Sequence, residues 1–260
     1  MLDYGQELTR WVEFDAALPA GARVRLTGSE IMQQGCFYHE NFRTAKTEFT
    51  YISDGKARHV RPHFTFYGFR YVLVEYPDTA DVPVANVTAW HLRSDFDEIG
   101  HIDTGIEKVN RLFQNALWGQ KDNFLDVPTD CPQRDERLGW TGDAQIFSET
   151  ACYNMYMPSF YRKYLWDMRS EQSILGGSVP NVVPRLKEGM VAEHGSCPWA
   201  DSGVIIPWNV WLHYGSKTLL AECYPGMKAW VDCQKQRDEA EEGPHLVKKR
   251  LSLCGLAGAG

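Results

Sequence analysis

Asp126-Val127-Pro128-Thr129-Asp130-Cys131-Pro132-Gln133-Arg134-Asp135-Glu136-Arg137-Leu138-Gly139-Trp140-Thr141-Gly142-Asp143-Ala144 is the stretch on which the reading of the chain turns. It concentrates five carboxylates, two Arg and one Trp between two segments of helical pattern. Pro128 and Pro132 keep its first part from being helical. Gly139 and Gly142 allow tight backbone turns after the charges.

Outward from this loop the pattern divides the chain. Upstream, Thr104-Gly105-Ile106-Glu107 offers a capping box. Ile102, Ile106, Val109, Phe113 and Leu117 then fall on one helical face. Downstream, further helices are expected at about 144–157, 159–173 and 216–235, joined by loops with Gly176-Gly177-Ser178 and Pro180 to Pro184. Helices separated by long, aromatic-containing loops fit an α/α toroid and equally a bundle with long connections; periodicity does not separate the two. Residues 1 to about 88 read as β structure instead. Ala22-Arg23-Val24-Arg25-Leu26-Thr27 and Thr47-Glu48-Phe49-Thr50-Tyr51-Ile52 alternate apolar with polar, and the run His63 to Val74 is rich in aromatic and β-branched residues. Short strands at roughly ten-residue spacing suggest a sandwich.

Composition narrows the class. The 260 residues carry 27 Lys+Arg against 34 Asp+Glu, a net charge of −7, with no basic patch beyond Lys248-Lys249-Arg250. A nucleic-acid partner is not expected. The opening MLDYGQELTRWVEF lacks a charged segment followed by an apolar run, and no stretch approaches membrane-spanning length. The expectation is a cytoplasmic protein with no membrane partner. Seven Cys without a CxxC pair suggest reduced thiols, with Cys131 a buried structural one. Eight His form no HExxH, and no phosphate-binding glycine loop or Gly-x-Ser-x-Gly occurs, so neither a metal nor any other cofactor is expected.

The acidic loop suits glycoside hydrolysis. That reaction needs one carboxylic acid to protonate the leaving oxygen and a second carboxylate to activate water or attack the sugar. The acid must hold its proton near neutral pH, which neighbouring like charge or burial against an aromatic supports. Glu136 has Asp135 beside it and Trp140 four residues on; Arg134 and Arg137 pull the other way. Composition leaves a plainer alternative, a solvated loop whose acids and Arg pair for about 0–1 kcal/mol each.

DCPQRDERLGWTGDAQ resembles the signature of the bacterial α-L-rhamnosidases of glycoside hydrolase family 78. Asp3-Tyr4-Gly5-Gln6 and RPHFTFYGFRYV look like the family's β-sandwich. Ser196-Cys197-Pro198-Trp199-Ala200-Asp201, Pro207-Trp208 and Tyr224 to Asp232 look like its barrel segments. The resemblance covers residues 3 to about 249. It implies a concanavalin-like β-sandwich at 1–88, the first half of an (α/α)6 six-hairpin barrel at 93–249, and inverting hydrolysis of terminal α-L-rhamnose from rhamnose-containing glycosides or oligosaccharides. By position, Glu136 matches the family's general acid. Asp130, Arg134, Trp140 and Asp143 match residues of the rhamnose pocket, and Trp199 and Asp201 a second barrel loop that points into the cleft. Plainer roles stand beside these. Asp201 and Asp143 could cap the helices that follow, Arg134 could be a structural partner of Asp130, and Trp199 and Trp208 could be core aromatics. A non-catalytic carbohydrate-binding remnant and another (α/α)6 glycosidase or lyase are the alternative functions; a lyase would need a Tyr or His base beside an Arg, whereas acids dominate here.

The family takes its general base from well downstream of the matched region, so the base is expected outside this chain, and the chain alone is expected to be inactive. From Arg250 the sequence RLSLCGLAGAG shows neither helical periodicity nor resemblance, and 250–260 is expected to be a frameshifted tail. Met1 is expected to fall inside a domain that begins further upstream.

Overall fold

The structure, a computed structural model, describes residues 1–77, 84–186 and 195–240. The expected tail at 250–260, the basic run at 248–250 and residues 241–249 of the expected helical domain lie outside them. The chain forms two units. One comprises Met1–Asp95, Thr104–Asp126 and Asp130–Arg137; the other comprises Phe96–Asp103, Val127–Thr129 and the residues from Leu138 onward.

The first unit is built on antiparallel strands: β1 (Leu2–Ala16), β2 (Arg23–Ser29), β3 (Ile31–Gln33), β4 (Cys36–Tyr38), β5 (Glu48–Ile52), β6 (Arg58–Val60), β7 (Tyr67–Glu75) and β8 (Ala85–His91). Six of them form one sheet in the order β5-β2-β7-β1-β6, with β8 also paired to β1, while β3 and β4 make a separate hairpin. The long β1 organises the sheet. Its first part pairs with β7 (Leu2 opposite Val72, Arg10 opposite Tyr67), and its second part pairs with β8 (Trp11 opposite Trp90). Alternation decides which side chains are buried. Val12, Phe14 and Ala16 of β1 and Val24 and Leu26 of β2 form the core with Val60, Phe69 and Val72. The expected alternation at 22–27 and 47–52 therefore lands on β2 and β5. The expected strand at 63–74 starts late, at Tyr67. Its aromatic opening, His63 to Phe66, is a loop, because Phe64 sits at φ 56°, a left-handed conformation that leaves the extended geometry of a strand.

Helix α1 (Glu107–Asn123) belongs to this unit. The expected capping box does not form. Residue Ile106 occupies the N-cap with no side-chain cap bond. Thr104 is held by Asn110 instead: its N–H (2.9 Å) and hydroxyl (2.8 Å) donate to Asn110 Oδ1, and Asn110 Nδ2 donates back to the Thr104 carbonyl (2.9 Å). Of the expected apolar face only Leu117 is fully buried, and Ile102, Ile106 and Val109 are exposed. What anchors α1 is its polar last turn. The Thr9 N–H and hydroxyl of β1 donate to Asp122 Oδ1 (3.1 Å) and to its carbonyl (2.6 Å), and Gln120, Lys121 and Asp122 are all buried.

The second unit is helical: α2 (Thr141–Asn154), α3 (Pro158–Ile174), α4 (Ser202–Tyr214) and α5 (Lys217–Ala240). Three of these meet the expected helices to within a few residues. The helix after Asp201, α4, carries Pro207 inside its span. Residue α4 Gly215, at φ 66°, ends that helix in the left-handed conformation that favours glycine. Helix α4 packs on α2, α3 and α5. Tyr161, Tyr164, Leu165 and Met168 of α3, Ile206 and Val210 of α4 and Trp230 of α5 are buried. Trp208, a candidate core aromatic, is 46% exposed and lies against Trp211 with ring centroids 4.7 Å apart. The six cysteines among the described residues are all unpaired, and no described helix is long and apolar enough to cross a membrane.

Candidate active site

In the sheet unit the acidic loop closes on itself around Glu136. Arg134 Nε lies 2.9 Å from Glu136 Oε2, and its Nη2 lies 3.9 Å from Asp130 Oδ2. The opposite oxygen, Oε1, is 2.9 Å from Nη1 of Arg43. Asp130 lies within hydrogen-bonding reach of Glu136 and helps hold its carboxyl low. The acids and Arg of the loop pair with one another, as in the plainer alternative, with Asp130 the buried member. The Asp130 side chain is 8% exposed and that of Glu136 32%. Arg134 is thus both the partner of Asp130 and a ligand of Glu136.

The electrostatics differ from the simple expectation of a raised acid. Burial works to raise the Glu136 carboxyl, but Arg43, the hydrogen bond with Asp130 and the charge of Arg134 outweigh it, and the group is held below its ordinary value. Asp135 is also lowered, chiefly by the Thr44 hydroxyl, which donates to Oδ2 at 2.6 Å. Arg137, expected to pull on Glu136, turns away. It donates from Nη1 to the Phe66 carbonyl at 3.3 Å and lies 5.9 Å from the centre of the Phe66 ring. The sequence reading missed Arg43 and Thr44, which lie some ninety residues upstream and carry no local signal. They reach the acids from the turn after a short 3-10 helix (Glu40–Phe42) whose Phe42 is buried, and Arg43 itself is at φ 58°.

Cys131 completes the cluster. Its ligand atom and those of Asp130 and Glu136 lie within 4.8 Å of one another. Burial pushes its thiol up to about 11, so at neutral pH it is a protonated structural group. Arg134 lies against both carboxylates of this trio.

In the helical unit, Trp140 and Asp143 sit at the start of α2. The expected cap at Asp143 does not arise, because the helix begins earlier, at Thr141, with Trp140 as N-cap; Asp143 lies in the first turn, where a carboxylate favours the helix dipole. Thr141 is fully buried, and its N–H and hydroxyl both donate to the Asn181 carbonyl (2.9 and 3.0 Å). The two glycines act through close approach and not through turns. A Cβ on Gly142 would lie 2.6 Å from Trp199, and one on Gly139 would lie 2.0 Å from the Val183 carbonyl oxygen. Trp199 therefore rests on the backbone that opens α2, half-buried instead of inside the core. Asp201 makes no side-chain cap for α4. Its Oδ1 accepts the indole N–H of buried Trp230 at 2.9 Å. Among the expected site residues, Asp130, Arg134 and Glu136 thus form one cluster in the sheet unit. Trp140 and Asp143 lie at the start of α2 in the helical unit, where Trp199 rests on Gly142, and Asp201 is tied to α5.

Two family models match successive parts of the chain. Residues 1–93 match the family described as the bacterial alpha-L-rhamnosidase concanavalin-like domain, and residues 97–251 match the bacterial alpha-L-rhamnosidase 6 hairpin glycosidase domain. A relative from Alteromonas sp. (strain LOR), an alpha-L-rhamnosidase, is 37% identical over 235 residues, 89% of this chain and 25% of its own length. The crystal structure of the Streptomyces avermitilis alpha-L-rhamnosidase complexed with L-rhamnose superposes with a TM-score of 0.81 at 36% identity, over 91% of this chain and 23% of that one. The native enzyme from Aspergillus terreus gives 0.79 at 37% identity, over 89% and 27%. The chain spans about a quarter of the length of the relatives it matches.

Proposed function

The chain belongs to the bacterial α-L-rhamnosidase family, and on that footing we propose that it carries the general-acid half of a rhamnosidase active site, cleaving terminal non-reducing α-L-rhamnose with inversion. The observation that carries the reading is the cluster of Glu136 with Asp130 and Arg134. It is a partly buried carboxyl paired with a second carboxyl and a guanidinium, on the loop whose residues match the family's acid.

Glu136 gives its proton to the departing glycosidic oxygen as the bond to the sugar breaks. Asp130 and Arg134 hold sugar hydroxyls, one as acceptor and the other as a forked donor. Trp140 packs the ring or its methyl, Asp143 takes a further hydroxyl, and Trp199 and Asp201 support the sugar from the second loop. At rest the two arginines favour the carboxylate form of Glu136. A sugar that draws Arg134 and Asp130 onto its hydroxyls removes two of the three influences that keep the proton off Glu136. The burial that favours the acid form then gains weight. The second carboxylate, which activates water about 6.5–9.5 Å from the acid, comes from the part of the relatives' length that this chain does not span. The substrate class is a rhamnose-containing glycoside or oligosaccharide.

The test is a chimera in which this chain replaces the matching segment of the Streptomyces enzyme, supplied with p-nitrophenyl α-L-rhamnoside and followed by proton NMR. Single displacement predicts β-L-rhamnose as the first product. If α-L-rhamnose formed first, the inverting assignment would be wrong; an aryl α-L-rhamnoside left uncleaved while another aryl glycoside is cleaved would refute the substrate.

A further inference from the structure

The sheet unit carries a groove of about 1000 Å³ whose walls include Trp11, Arg61, Phe64 and Phe66, and which ends on Asp135 and Glu136. Asp130 and Arg134 are not among its lining residues. Glu136 therefore separates two environments, one holding the pair assigned to sugar hydroxyls and the other lined by aromatics. A general acid sits against the oxygen that joins sugar to leaving group. If one side of Glu136 takes the sugar, the other takes what departs.

The aromatic wall has the marks of a binding surface. Phe64 is fully exposed, at 106% of its reference area, and holds a left-handed backbone at φ 56°. An exposed aromatic ring in a strained conformation is unfavourable twice over, and such strain persists where function selects it. The loop around it is fixed: Pro62 is buried, and the Phe66 carbonyl is held by Arg137, the residue next to the acid. Trp11 is half-buried, its indole N–H fixed on Glu13 at 2.9 Å and the Arg61 guanidinium 5.9 Å from its ring centre. Arg93 lines the same groove, its Nη1 buried and without a hydrogen-bond partner among the described residues.

We infer that this groove is the leaving-group subsite, with Phe64 and Trp11 as stacking walls for a flat ring that has an apolar face and an oxygen-bearing edge. An aryl alcohol and a second pyranose share that chemistry. The assignment rests on the rhamnosidase reading above, and the experiment separates the two. Calorimetric titration of the 260-residue chain would use methyl α-L-rhamnoside, p-nitrophenyl α-L-rhamnoside, a rhamnosyl-glucose disaccharide and p-nitrophenyl β-D-glucoside. The aryl rhamnoside is expected to bind about three- to tenfold tighter than the methyl glycoside. Phe64→Ala should abolish that gain and leave the methyl glycoside unchanged. The exposed side chain makes no core contact, and circular dichroism checks the fold. A gain shown by the disaccharide and lost in Phe64→Ala identifies a pyranose as the occupant of the same subsite. No gain for either ring over the methyl glycoside, or a gain that survives Phe64→Ala, overturns the proposal. Equal, Phe64-dependent binding of the aryl glucoside and the aryl rhamnoside keeps the subsite and sinks the rhamnose reading instead.

Discussion

Arg43 and Arg134 grip the two oxygens of Glu136, each at 2.9 Å, so the carboxyl proposed to donate a proton is held below its ordinary value. Arg134 is expected to exchange this contact for a sugar hydroxyl, whereas Arg43 is not. Its replacement then has a defined sign. A carboxyl held low in the fold contributes stability above its unfolded pKa, and that stability is lost as pH falls through the folded value. Arg43→Met should therefore lower the stability of the chain at neutral pH, and the difference should shrink as pH falls through the folded value. In the active chimera it should also move the alkaline limb of kcat/KM to higher pH, since that limb reports deprotonation of the acid. A limb that stays in place would mean that Arg43 does not govern Glu136. Sequence made part of this cluster legible. Asp130, Arg134 and Glu136 fall within seven residues of one loop, so their meeting needs only a turn. Arg43 and Thr44 come from a distant turn whose approach depends on how the sheet folds, which no local pattern encodes. The balance of charges on Glu136 was for the same reason unreadable: Arg137, adjacent in sequence, points at Phe66, and the remote Arg43 takes its place.

Among the elements, those with a single strong period were legible and those held by exceptions were not. Residues 22–27 alternate cleanly and became β2, a strand with one face in the core. Helices α2, α3 and α5 followed their apolar spacing. Helix α1 was found for the wrong reason: its apolar residues are mostly exposed, and a buried polar turn at Gln120 to Asp122 docks it. The strand expected from His63 failed because aromatic richness marks an aromatic loop as readily as a strand, and only backbone geometry separates them. Two glycines test the packing account. Gly119, inside α1, would meet nothing within 4 Å on gaining a Cβ. Gly119→Ala is expected to stabilise the fold by about 0.5–1 kcal/mol through helix propensity alone. Gly139→Ala would drive its Cβ into the Val183 carbonyl, whose residue also donates its N–H to the Gly139 carbonyl at 2.9 Å. That substitution is expected to cost about 1–3 kcal/mol. Urea denaturation reads both, and equal effects would show that the contact at Val183 is not what selects glycine.

At the scale of the whole molecule, the family matches and the compact units divide the chain differently: residues 97–251 match the 6 hairpin glycosidase domain, yet helix α1 and the acidic loop within that range fold with the sheet. The order of β and then α was readable from where period two gives way to period 3.6 near Ser94. Where the compact units divide was not, because the acidic loop itself is shared: Asp130–Arg137 folds with the sheet, and Leu138 onward with the helices. The proposed mechanism stands or falls on Glu136 as the proton donor. Its most direct test is Glu136→Gln in the chimera, assayed with two α-L-rhamnosides that differ only in leaving group. An alkyl or sugar alcohol departs only when protonated, so its rate should fall by about 10²–10⁴. A dinitrophenolate leaves with little help, so its rate should fall far less, and the alkaline limb of the pH profile should vanish. Equal losses for both leaving groups, with the alkaline limb intact, would make Glu136 a binding residue and send the search for the donor to Asp135 or Asp143.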